Sequence, residues 1–437
     1  MAEIGVKRGR TANNTEAENN LITVNGNNEN TPSRVRQADA DLGASSPNFI
    51  DDNFDANIDG SLEYSIDPTA GWSNDPVHDL KWPHKKYVDD ALGYLDTKTF
   101  YLSNEGDDAS AEPGNMRRPY QTITALISAL TSEPANSTLA IKVFPGSYSG
   151  DFIISSGNYT LSFAIIGCTW TNVKFSFSGT NVVYMNLANS VFSKTSDNVF
   201  AFEGSVDGYL FGPAIINVDG GGIQVPQRAG IRSASGQKYF YNLRVNAINQ
   251  GNCIYGNNAN IYNCEFFATD GFALSSSINM KFFSCIFNSS NSDGTIRDSG
   301  SLPSFFYNCR ITNSSGIAIG SVDNNSDSFY ECYIESAGSY AVRLNGNGIW
   351  DTEFTYSRCI IKGASDSVRI TGAPTTSTDI FFEYCRMEAG TGEIFLEPGG
   401  GYDPGFVNNI RVIAPFFNKT FIPAGAGKIV LYNEMVL

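Results

Sequence analysis

The hydrophobic pattern of the C-terminal two thirds of the chain is a short frame, aromatic-x-polar-x-x-apolar, that returns again and again. Its fourth position is usually cysteine. It is seen in Ile261-Tyr262-Asn263-Cys264-Glu265-Phe266 and Phe282-Phe283-Ser284-Cys285-Ile286-Phe287. Phe306-Tyr307-Asn308-Cys309-Arg310-Ile311 and Phe329-Tyr330-Glu331-Cys332-Tyr333-Ile334 repeat it. Tyr356-Ser357-Arg358-Cys359-Ile360-Ile361 and Phe382-Glu383-Tyr384-Cys385-Arg386-Met387 continue it with a relaxed polar position. With Leu243 before and Ile410 after taken as further anchors, the spacings are 21, 21, 24, 23, 27, 26 and 25 residues. A drifting period of this size predicts a solenoid whose coils tolerate insertions in their loops.

Stacked coils pair in parallel at ~4.8 Å per level. Alternation along each strand then sends the anchor and the residue two beyond it inward. Asparagine before the anchor suits a bend, because it tolerates a left-handed backbone. A second strand follows each frame: Gly271-Phe272-Ala273-Leu274, Gly316-Ile317-Ala318-Ile319, Tyr340-Ala341-Val342 and Ile394-Phe395-Leu396. The cysteines read as small buried hydrophobes with free thiols, and a disulfide ladder is the alternative. Cys168 and Cys253 fall outside this column. The sequons at Asn136 and Asn158 are ascribed to chance in a chain so rich in Asn, Ser and Thr.

The rest of the chain divides by composition. Residues 1–80 carry asparagine tracts and no apolar periodicity, an extended arm that cannot bury enough surface to fold alone. Residues 81–98 predict a connecting helix, with Pro83 at its start and Val88, Ala91, Leu92 and Leu95 on one face. In residues 99–167 a strand at Thr99–Ser103 precedes a helix opened by Arg118-Pro119-Tyr120-Gln121-Thr122-Ile123. Ile123, Leu126, Ile127 and Leu130 form its apolar stripe. The solenoid spans 99–412, and strands in 413–437 close it or meet a neighbour.

Charged residues make up 17%, below the ~25% of average chains. The net charge of -16 disfavours nucleic acid and anionic membrane surfaces. No apolar run approaches the ~20 residues of a membrane span, so no insertion is expected. The polar N-terminus has no signal-peptide core. Only His78 and His84 exist, which disfavours histidine-centred metal sites and Ser-His-Asp triads. No metal and no cofactor are expected.

Two constellations carry candidate chemistry. Tyr241, Tyr262, Phe283, Tyr307 and Tyr330, two before their anchors, predict an outward aromatic column that packs subunits together or stacks on sugars. The column then changes to Ser357, Glu383 and Asn408. Trp350-Asp351-Thr352-Glu353 sets two carboxylates on one strand face beside a tryptophan. Asp379, at the same offset from its anchor as Glu353, is expected one coil above it. Such carboxylates would serve glycoside hydrolysis, although solvation on an exposed face is the plainer role.

The run from His84 to Leu92, containing Lys85-Lys86-Tyr87-Val88-Asp89-Asp90-Ala91, resembles an element of bacteriophage tail-fibre proteins. The order Arg118-Pro119-Tyr120…Thr122-Ile123, then Val143-Phe144-Pro145-Gly146-Ser147-Tyr148, resembles the opening of pectin-lyase-like right-handed parallel β-helices. Together they resemble phage tail spikes, tail fibres or baseplate proteins. The resemblance implies an all-β, right-handed parallel β-helix with an N-terminal capping helix, usually a homotrimer. It implies a virion location, attachment to other tail proteins through residues 1–80, and binding of host-surface polysaccharide. The alternative is a polysaccharide depolymerase acting on capsule or O-antigen. The calcium-binding aspartates and catalytic arginine of pectate lyases are not recognisable.

Overall fold

In the computed structural model, the described residues are 98–222, 228–298, 303–321, 327–345, 354–371, 379–396, 409–420, 429–432 and 435–436, with two short strands nearer the N-terminus. Those strands, Phe54–Ala56 and Leu62–Tyr64, pair antiparallel within a unit that spans Met1–Trp82. The expected helix over 81–98 lies outside the described residues, and from Lys98 the chain is already strand.

The second unit, Pro83–Leu437, is a parallel β-helix with three sheets. Each coil runs through a strand of the first sheet, such as Ala259–Tyr262, turns a corner, continues into the second sheet at Glu265–Ala268, and enters the third at Leu274–Ile278. The next coil repeats this directly above, with Ile261 paired to Phe282, Phe266 to Phe287 and Leu274 to Ile296. In two coils the first and second sheets merge into long strands, Asp207–Asp219 and Lys238–Ile248.

The corner between the first two sheets has a chemical signature. Asn189, Asn242, Asn263, Ser284, Asn308, Glu331, Arg358, Tyr384 and Ala414 all have φ between 46 and 56°. This left-handed backbone rotates the chain without breaking the parallel ladders on either side. Asparagine adopts it readily, and the other side chains adopt it at a cost. The anchor follows that residue in each of these coils. Cys168 follows Gly167, whose φ is 67°, and its level pairs with that of Ser190, so Cys168 belongs to the column. The sequence frame placed it outside because Gly167 stands at the polar corner position and Ile165 at the aromatic one. The last anchor also moves. Phe382 pairs with Val412 and Glu383 with Ile413, so Ala414 is the corner and Pro415 the anchor, five residues beyond Ile410. The alternation in Ile410-Arg411-Val412 mimics the frame one strand too early.

The core runs unbroken along the coils. Inward rows of Phe282, Phe306, Phe329, Tyr356 and Phe382 stack level on level, with ring centroids 4.6–4.9 Å apart. All eight cysteines are free and buried. Column thiols donate to carbonyls of neighbouring coils, as Cys332 Sγ does to Phe306 O at 3.4 Å. Burial pushes the thiols of Cys264, Cys309 and Cys359 upward, which keeps them protonated. Where the chain turns toward the third sheet, buried asparagines satisfy the backbone. Asn252 Oδ1 accepts from Phe272 N and Asn313 Nδ2 donates to Asn291 O.

The helix Ile123–Thr131 buries Ile123, Leu126 and Leu130. Thr122 caps it, accepting from Ala125 N at 3.2 Å. Asp108 accepts from the backbone N–H of Gln121 and Thr122 and from the Thr122 hydroxyl at 2.7–3.0 Å. Burial raises this carboxyl, but the three hydrogen bonds outweigh it and hold it below the usual carboxylate range. The strands Ile429–Tyr432 and Met435–Val436 add one more level to the first and second sheets by pairing with Asn409–Ile413 and Phe416–Phe417.

Candidate functional site

The predicted aromatic column forms, and it is one ring longer. Phe211, Tyr241, Tyr262, Phe283, Tyr307 and Tyr330 stack one per level, with centroids 4.8–5.3 Å apart and planes within 10°. Parallel pairing in register holds them there, as Tyr241 over Tyr262 and Phe283 over Tyr307. The five predicted rings are half-buried. Burial first, and neighbouring phenols second, raise Tyr262 and Tyr307 above the usual tyrosine value. A second outward column, Tyr184, Tyr209 and Tyr239, stacks beside it at 4.5 and 5.1 Å.

The geometry limits what these rings can do. Each inner ring has a ring above and a ring below, so both π-faces are occupied and only edges and hydroxyls face outward. A sugar cannot lie flat on Tyr262 or Phe283. At Tyr330 the next level is Ser357, so a face there has no ring neighbour within the column.

Trp350, Asp351 and Glu353 lie outside the described residues, as does Asn408. Asp379 opens the strand Asp379–Glu383, its backbone in register with Asn409. Among the described residues, no three His, Cys, Asp or Glu side chains cluster as metal ligands, and no helix is long and apolar enough to cross a membrane.

Two features escaped the sequence frame. One is a groove of about 460 Å³ on the corner between the first two sheets, lined by Asn189, Pro213, Asn242, Asn263, Arg244 and Glu265 among others. Arg244 lies over Phe267 at 4.6 Å and reaches Glu265 at 3.8 Å, so its charge is already answered. The second is the outer face of the second sheet, where Glu335, Lys362 and Glu388 share one row over successive levels. Lys362 meets Glu335 at 3.0 Å, and Tyr333 donates to Glu335 at 2.9 Å. The hydrogen bond from Lys362 is the main cause that lowers the Glu335 carboxyl, and the same bond raises Lys362. Residues one and three beyond each anchor spell out both features in the sequence, but their chemistry varies from coil to coil.

The fold is thus a parallel β-helix, an all-β solenoid. No family model and no curated protein sequence matches the chain. Among solved structures, that of pectate lyase Pel9A is similar over 78% of this chain and 79% of its own, with 12% identity and a TM-score of 0.36.

Proposed function

We propose that this chain is a β-helical attachment rod of a bacteriophage tail, anchored through residues 1–80 and holding host-surface polysaccharide along its coils. The observation that carries the rod is the outer six-ring ladder from Phe211 to Tyr330. Continuous edge-exposed columns stiffen an axis and offer hydroxyls along it, which suits a load-bearing binder. The virion role is supported by the resemblance of residues 84–92 to tail-fibre proteins. Homotrimer formation, with the ladder against a neighbouring copy, belongs to the same reading.

Incubation of the purified full chain with host cells and their extracted surface polysaccharide tests it. Retention on cells with polysaccharide length unchanged is the expected result. Shortened chains, abolished by Asp351→Asn with Glu353→Gln, would establish the depolymerase reading instead. Deleting residues 1–80 is expected to stop incorporation into particles while the rod stays folded, and normal incorporation would remove the anchoring role.

A further inference from the structure

One row of the third sheet stacks arginines that lack the carboxylate partner several other arginines have. Parallel pairing places Arg297, Gly320, Arg343 and Arg369 at successive levels of one outward column. Their neighbours Ile296, Ile319, Val342 and Val368 are buried on the inner side. Arg232, Arg244, Arg358 and Arg386 on the same rod each meet a carboxylate within 4 Å. Among the described residues, Arg297, Arg343 and Arg369 meet none, in a chain of net charge -16.

The row is built as well as unpaired. Arg297 lies over Phe272 at 5.4 Å and Arg369 over Tyr340 at 5.1 Å, contacts that fix a guanidinium by its face and leave its N–H edge. Arg343 is half-buried, and its Nε is fully shielded without a hydrogen-bond partner. A Cβ at Gly320 would stand 2.7 Å from Asp293 O, so glycine is required there by the backbone of the neighbouring coil, and the Arg343 head would lie in ordinary contact at 3.5 Å. Arg343 and Arg369 occupy directly paired positions on adjacent levels, an arrangement that destabilises a sheet when both carry the same charge. The like-charge pair costs stability, and an anionic ligand on the exposed guanidinium edges would answer it.

Resting on the attachment reading, we propose that Arg297, Arg343 and Arg369 bind a linear acidic polysaccharide laid along the helix axis, with carboxylates on successive sugars. One level advances ~4.8 Å, so Arg343 and Arg369 stand one level apart and would meet carboxylates on adjacent sugars, while Arg297, two levels from Arg343 across Gly320, would meet a carboxylate further along the chain. The planar fork of arginine matches a carboxylate in two parallel hydrogen bonds.

The full chain would be titrated calorimetrically with hexamers of mannuronate and of α2,8-linked sialic acid, and with neutral mannohexaose. Binding of at least one acidic hexamer but not the neutral one is expected, and it should weaken as salt rises. Arg297→Gln with Arg369→Gln, both at exposed positions, should weaken it about tenfold or more, and adding Arg343→Gln should abolish it. Each variant is checked by thermal unfolding. No binding of either acidic hexamer, or equal binding by the double variant, would overturn the site even if cell retention persists. Failure of cell retention with arginine-dependent hexamer binding intact would remove the attachment reading and leave the site standing.

Discussion

The rings of Tyr262 and Phe283 lie 4.8 Å apart and 6° from parallel, although 21 residues separate them. Their backbones are paired in register one coil apart, so the stack follows from the pitch of the sheet rather than from any local contact. The energetic coupling of the coils can therefore be read from such pairs.

Phe283→Ala should destabilise the rod by about 1–3 kcal/mol, since it removes a half-buried ring and one partner from each of two neighbours. A double-mutant cycle with Tyr262→Ala should show a coupling of about 0.5–1.5 kcal/mol in denaturant unfolding. Additive losses would mean that the stacked geometry contributes nothing beyond burial.

Tyr384 is exposed and holds a corner with φ of 54°. Tyr384→Asn should stabilise by about 0.5–1 kcal/mol, because asparagine enters this region more easily than other non-glycine residues. Asn263→Ala at the same corner of another coil should lower the melting temperature. If both substitutions act in the same direction, backbone strain does not govern the corner.

The thiol column is inert by burial. Native protein should not react with a thiol reagent such as DTNB within minutes, and denatured protein should release eight equivalents. Cys309→Ser should cost about 1–3 kcal/mol, since a hydroxyl is more costly to bury than a thiol. Rapid labelling of the native protein at any column cysteine would contradict the packing.

Lys238 is fully buried, and its ammonium donates to the carbonyls of Ala234, Ser235 and Gly236. Burial pulls it down to about 8, against a weaker pull upward from Asp207. The unfolded chain then holds this proton more tightly than the folded one. Stability should be level below pH 8 and rise between about pH 8 and the ordinary lysine value. Above pH 10 the raised tyrosines oppose the rise, because unfolded phenols ionise first. Urea midpoints measured from pH 7 to 9.5 test this, and Lys238→Met should flatten the profile.

Much of this architecture was legible in the chain. The frame around Cys264, Cys285 and Cys309 has one residue type for the corner, one for the inward anchor and one for the outward ring, because each coil meets the same steric demands. Register failed where a different residue met the demand. Gly167 turns the corner at Cys168 without an aromatic frame, and Ile410-Arg411-Val412 imitates an anchor inside a strand. The groove beside Arg244 and the arginine row were not legible. The arginines recur on the third-sheet strands at intervals of 46 and 26 residues with Gly320 breaking the row, and no fixed frame marks their alignment.

Alternation and period along the chain determined that coils exist and which side chains line their interior, since burial depends only on position within a strand. Outside the frame, tertiary structure alone decided which outward residues become neighbours. Loops of unequal length set the level at which each strand joins its sheet, so Arg343 meets Arg369 across 26 residues. That adjacency arises from backbone pairing between coils, and no local pattern encodes it.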